Sequence, residues 1–349
     1  MCCTKRLSRR IQAAAAVAWF VCLLLAPSLS YAAAHEVVYV EGFPYVRDLR
    51  GEEIELDLGD VVRNGETVIT GRGEAVELEA EGYTVYIEES TVFSLREREY
   101  GGRKTDVLSC ALGKLSFSRD KFLGSEPRLA TNSAICGVRG TRFTLYAGED
   151  GSSLIVVKEG RVEVEAAGVS VEVAANKGVE VAAGLGPGEV FDALETTIDY
   201  ASWNEERLGA FLEDPVRGAV NIERQMDDFI AQIAKIAPLY LESKSRLEAA
   251  REALEAKKER GEPVEAYYED TVLPLEQETT FYILNLRYYS LSGLSLRRYV
   301  LSRLYLALKA RYVTDPDDPV FSDFLEVHDR ILGKYDSAMA RPYLVAADI

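Results

Sequence analysis

One change of grammar divides this chain. Up to about residue 190 it reads as short β-type runs punctuated by glycine, and after the breaker cluster Gly184-Leu185-Gly186-Pro187-Gly188 the glycines thin out and helix formers take over. The pattern predicts an α+β protein of two domains: an all-β sandwich or roll of short strands over residues 35–195, and an all-α antiparallel helical bundle over 196–349. A length of 349 residues suits two cores of ordinary size.

Within the first part, Val76-Glu77-Leu78-Glu79-Ala80, a turn, and Tyr83-Thr84-Val85-Tyr86-Ile87 read as a hairpin with one buried face. Leu154 to Lys158, the turn Glu159-Gly160, and Arg161 to Glu165 repeat the grammar, and Val169 to Val173 and Val179 to Val181 continue it. In the second part an apolar series runs Ile222, Met226, Phe229, Ile233, Ile236, Tyr240, Leu247, Ala250 and Leu254, with Ser243 its one polar slot. That is a heptad seam over 222–254 on a helix from about Val216 to Lys258, and it offers a surface for a homo-oligomer. Pro238 inside the seam should kink or split this helix, and Gly261-Glu262-Pro263 should end it. Further helices are expected from about Thr279 to Tyr312 and from Val320 to Tyr335.

The first 34 residues have the parts of a secretory signal peptide: Lys5, Arg6, Arg9 and Arg10, an apolar stretch from Ile11 to Ala26, then Ala32, Ala33 and Ala34. Cleavage after Ala34 and a periplasmic, extracytoplasmic location are the expectation. At about 16 residues the apolar stretch is short of the roughly 20 that a membrane span needs, so anchoring by residues 11–26 is the weaker reading.

Acidic residues outnumber basic ones by 57 to 40, and no long Lys/Arg run offers a phosphate-binding patch, which argues against nucleic acid as a partner. After Ala34 only Cys110 and Cys136 remain as thiols. In an oxidising compartment they can pair, closing a loop that stabilises by on the order of 3 kcal/mol, or they can serve as small buried apolar side chains.

Chemistry has little to work with. Beyond Ala34 the only histidines are His35 and His328, and no zinc, nucleophile-elbow or phosphate-loop motif is present. Asp315, Asp317 and Asp318 lack the central glycine and distal glutamate of a calcium loop and read as helix capping. The tyrosines at 282, 288, 289, 299, 305 and 312 scatter round their helix and read as packing. No enzyme, cofactor or metal site is expected.

The most distinctive segment runs from Asn132 to Phe143. Its core, Val138-Arg139-Gly140-Thr141 with Phe143, followed by Glu159-Gly160-Arg161-Val162, resembles the FecR family. Gly59-Asp60 to Val68-Ile69-Thr70-Gly71 is similar to that family's opening strand, and Leu112-Gly113-Lys114-Leu115 to its middle one. Ala174 to Gly178 stands where the family has a glycine turn, so the likeness covers roughly residues 37–185.

The resemblance implies that Gly137, Val138, Arg139, Gly140, Thr141, Phe143, Glu159 and Gly160 are the motif positions and candidate partner contacts. Gly137 and Gly140 would let the backbone turn on both sides of Arg139, and Phe143 would point inward. Arg139 is expected to tie backbone carbonyls or a carboxylate rather than face a ligand. Members of the family relay the state of an outer-membrane transporter to a cytoplasmic anti-sigma region. With ten residues before the apolar stretch, such a region is not expected here. The expected function is an exported sensory or protein-interaction module with a helical docking or dimerisation domain. The alternative is a structural envelope protein gripping peptidoglycan or a surface polymer, so the partner is an envelope protein or a cell-wall component.

Overall fold

The computed structural model describes residues 35–48, 50–80, 82–100, 103–119, 127–194 and 198–339, with the backbone alone at 99, 100, 103, 104, 139 and 140. The expected signal segment lies outside them. Among the described residues no helix is long and apolar enough to cross a membrane.

Among the described residues fifteen strands lead: β1 (His35–Glu41), β2 (Tyr45–Arg47), β3 (Glu53–Glu55), β4 (Val61–Val62), β5 (Thr67–Ile69), β6 (Ala75–Ala80), β7 (Tyr83–Ile87), β8 (Val92–Tyr100), β9 (Arg103–Arg119), β10 (Arg128–Ala130), β11 (Ile135–Ala147), β12 (Ser153–Ala166), β13 (Val169–Ala174), β14 (Lys177–Val181) and β15 (Phe191–Asp192). Helices follow: α1 (Tyr200–Glu213), α2 (Pro215–Glu259), α3 (Leu273–Ser295), α4 (Ser302–Arg311) and α5 (Pro319–Met339). A π-helical turn, Tyr268–Val272, leads into α3, and another, Leu296–Leu301, joins α3 to α4. The α+β class and the order of its two parts are as the sequence pattern predicts.

The strands are not all short, because three of them serve both layers of the roll. The first half of β9 pairs with β8 and β10, and its second half with β7 and β11. β11 pairs first with β10 and then with β9, while β12 exchanges β14 for β13 along its length. Each strand carries extra residues where it turns the corner. Ala111 is unpaired between Leu112 and Cys110, Gly140 and Thr141 stand against Gly160 alone, and Lys158 is skipped between Glu159 and Val157.

One extra residue moves a strand's apolar set to its other face, so the alternation must change phase at each corner. It does. Leu108 and Cys110 give way to Leu115 and Phe117, Cys136 and Val138 to Phe143 and Leu145, and Ile155 and Val157 to Val162 and Val164, all within one core cluster. The corner of β9 requires a glycine: Gly113 has φ +98°, and a Cβ there would lie 2.3 Å from Thr91 Oγ1 and 2.5 Å from Thr91 Cα.

The helices cover the outer face of the roll. Tyr146, Leu154 and Val156 pack against Tyr200 and Trp203, Ala111 and Leu112 against Tyr299, and Val107 and Ala130 against Tyr288. Helix α2 runs antiparallel to α3, with Arg246 facing Glu278 and Arg251 facing Glu276. It runs parallel to α5, where Arg330 and Lys334 meet Glu223 and Asp227. Asp318 Oδ1 accepts the backbone N–H of Val320 at 2.8 Å, the capping role expected of that aspartate cluster.

The structure bears on three expectations. Helix α2 is not split at Pro238, which sits on its exposed side, where water can satisfy the Ala234 carbonyl that the proline leaves without a donor. The seam is not free for a second copy: Ile222, Met226, Phe229 and Ile233 are buried among the chain's own helices, and Leu247, Ala250 and Leu254 pack on Val272 and Leu275. Of the two readings left open for Cys110 and Cys136, the structure has the free, buried thiols and not the disulfide. Strand β10 lies between them, since Leu129 pairs with Cys136 on one side and with Leu108 on the other, so the two are separated by about two strand spacings, near 10 Å and beyond disulfide reach. Burial pushes both thiols up to about 12.

Candidate interaction surface

The motif positions fall on β11 and β12 and divide by side. Val138, Thr141 and Phe143 are turned into the core, where the Phe143 ring packs tilted against Phe117 with centroids 5.5 Å apart, so these three side chains cannot touch a partner. Glu159 is exposed at the corner, with Arg142 Nε 3.9 Å from its carboxylate. The side chain of Arg139 lies outside the described residues, while its backbone pairs with Arg161. Gly137 faces outward and forms part of a trough.

That trough, about 570 Å³, crosses five strands on the outer face. Its floor is a cross-strand ladder in register: Arg128 opposite Gly137, Gly137 opposite Glu163, and Glu163 opposite Glu172. Because directly opposed side chains on one face stand side by side, a glycine in the second place leaves a gap between a guanidinium and two carboxylates. A Cβ at Gly137 would meet Arg128 Nη1 at 3.6 Å and Glu163 Oε2 at 3.8 Å, ordinary contact distances, so the two charged side chains reach over the glycine and the glycine is not a steric necessity. Arg161 closes one side and reaches Glu172 at 3.5 Å. The arrangement suits a polypeptide segment carrying both charges, and it brings no nucleophile and base together. Among the described residues no cluster of three His, Cys, Asp or Glu side chains suits a metal ion.

A second polar system joins the roll to the helices. Arg96 is buried, and its Nη1 donates to Ser292 Oγ at 3.1 Å while Nη2 donates to Ser295 Oγ at 2.7 Å and to the Leu291 carbonyl at 3.2 Å. Arg98 Nε donates to Asn285 Oδ1 at 2.6 Å and its Nη2 to Tyr289 OH at 2.9 Å, with the guanidinium 4.9 and 5.0 Å from the ring centres of Tyr288 and Tyr289. Nothing in the sequence singled these residues out. The one available trace was Leu95-Arg96-Glu97-Arg98, where arginines alternate on a strand whose other face is needed by the core.

A β roll buttressed by helices, with a charged trough beside its corner strands, is the class these features define. Within that class, residues 66–163 match the family model described as FecR protein, and this part of the chain is a FecR-type domain. Two crystal structures of a candidate anti-sigma factor from Parabacteroides distasonis ATCC 8503 are similar at 21% identity, with TM-scores of 0.32 and 0.31. The similarity covers 38% of this chain and 62% of that one, and a likeness so distant carries no argument about fold or function. No curated protein matches the chain.

Proposed function

We propose that this chain is an exported, non-catalytic, extracytoplasmic sensory module whose FecR-type domain recognises a protein of the cell envelope. The trough at Gly137 is the observation that carries this reading: most of its lining lies within the family-matching stretch, with Ser170, Val171 and Glu172 just beyond it, and it sets a guanidinium and carboxylates around a glycine. Periplasmic location follows from the basic and apolar start of the sequence. The helices hold the outer face of the roll, and the far end of the α2–α3 hairpin provides a second docking face.

The test is cross-linking of a tagged copy in intact cells, followed by purification under denaturing conditions. Gly137→Leu fills the trough and leaves the core untouched. An envelope protein attached to the wild type and lost with Gly137→Leu, at unchanged melting temperature, is the expected result. The same adduct from both forms would sink the trough as the contact, and wall fragments alone would favour a structural role.

A further inference from the structure

Arg96 is the anomaly of the molecule. A buried charge is normally paired with an opposite one, because taking it out of water costs several kcal/mol that neutral dipoles offset only in part. Here the guanidinium meets two serine hydroxyls and one carbonyl, and its Nε has no hydrogen-bond partner. Among the described residues no carboxylate lies within salt-bridge distance of it, although the chain carries 57 acidic residues. Burial lowers its affinity for the proton to about 10, and the nearest groups opposing that are Tyr288 and Tyr299.

Beside it is a cavity of about 60 Å³. Arg96, Arg298, Tyr299, Ser94, Thr67 and Ser295 supply its polar lining. Arg298 is exposed, has no salt-bridge partner among the described residues, and packs over the Tyr299 ring at 5.9 Å. Thr67 Oγ1 and Ser94 Oγ are 3.1 Å apart on the β side. A third guanidinium, Arg47, donates to Tyr299 OH at 3.4 Å but is already paired with Glu53 at 2.6 Å. Arg298 and Tyr299 lie in the π-helical turn Leu296–Leu301, and such turns, which cost regular backbone bonding, are frequent at functional sites. The volume holds about two waters, or one tetrahedral oxyanion.

We propose that the cavity between β8 and this π turn binds a single tetrahedral oxyanion, sulfate or phosphate. Arg96 holds it from beneath, Arg298 from the mouth, and the hydroxyls of Tyr299, Ser94 and Thr67 complete its hydrogen bonding. The anion supplies the negative charge that Arg96 lacks, and it sits across the joint between the roll and α3. This site is separate from the trough and does not depend on how the trough is used.

Calorimetric titration of the purified protein with inorganic sulfate, inorganic phosphate and glycerol 3-phosphate, against sodium chloride of matched ionic strength, tests it. Saturable one-site binding of at least one oxyanion is expected. Arg298→Ala should weaken it about tenfold or more, the loss of one charged hydrogen bond, while Arg63→Ala, an exposed arginine with a local glutamate partner, leaves it unchanged. Because Arg298 is exposed, its variant folds where an Arg96 variant risks not doing so. Glycerol 3-phosphate binding as tightly as inorganic phosphate identifies the headgroup of a larger ligand, and weaker binding identifies the free ion. Absence of saturable binding by all three, or equal weakening in Arg63→Ala and Arg298→Ala, overturns the proposal.

Discussion

The roll and the helical region bury apolar surface in different ways. In the roll a single continuous cluster runs from Val37 to Val181 through both layers. The helical region divides its contacts: one cluster around Met226, Leu304 and Phe324 sits near the roll, and a small one around Leu247, Leu254 and Leu275 holds the far end of the hairpin. A continuous core makes each of its residues matter to the whole. A divided one allows an end to open without the rest.

The most severe break should come from Phe143→Ala, which empties a buried ring site in the continuous core. A loss of about 4 kcal/mol is expected in denaturant unfolding, with a single transition for the roll. Gly113→Ala comes next, at about 3 kcal/mol, since the added Cβ collides with Thr91 and the residue must keep positive φ. Leu247→Ala sharpens the contrast. It should cost about 2 kcal/mol and raise hydrogen exchange only in residues 240–278; faster exchange throughout the roll would show that the far end is not an independent unit.

Acid separates the two regions by sign. In the roll, burial and then the nearby Glu97 raise Asp106 from 3.8 to about 6, against a hydrogen bond from Tyr83 that lowers it. His35 Nε2 lies 3.9 Å from the same carboxylate and 2.6 Å from the Tyr83 hydroxyl. The folded state therefore holds this proton more tightly than the unfolded one. Its stabilising contribution is complete below pH 4 and is lost as pH rises through 6.

In the helical region, hydrogen bonds from Arg330 and then Lys334 hold Glu223 down at about 2, from 4.5, against a partial desolvation. That contribution is complete above pH 4.5 and is lost as pH falls through 2. Melting curves of Asp106→Asn and Glu223→Gln should each flatten the pH dependence in its own window and leave the other untouched. The smallest effect belongs to Arg251→Ala at the far end of the hairpin. Its exposed pair with Glu276 should be worth under about 0.5 kcal/mol and vanish in high salt.

What the sequence made legible follows the same division. The heptad seam announced α2 because its four-three spacing is a local signal, and its one polar slot, Ser243, is buried with its hydroxyl turned to the Tyr240 carbonyl. The helix α1 and the π turns were missed. A π turn adds one residue to an otherwise helical pattern and leaves no mark of its own.

In the roll, the hairpin of β6–β7 was readable, but Leu154–Lys158 and Arg161–Glu165, read as a hairpin turning at Glu159-Gly160, are one strand, β12, and the other long strands were likewise read as separate short ones. The reason is physical: alternation breaks phase at Ala111, Gly140–Thr141 and Lys158, and a phase break resembles a strand end. The trough depended on which residues of four different strands come into register, and that information is not local to any of them. Arg96 and Arg98 were invisible because their partners lie nearly 200 positions away, on a helix whose tyrosines read as packing.

The extra residues at the corners give the roll something like a reading frame. Upstream of Ala111 the even positions of β9 face the core, and downstream of it the odd ones do. Deleting Gly113 alone would turn Leu115 and Phe117 outward and Lys114 and Ser116 inward, whereas removing two adjacent residues from a strand would shorten it and keep every later side chain on its own side. Length changes in these three strands should therefore be tolerated in pairs or not at all, so natural insertions belong in the turns, where no frame is kept.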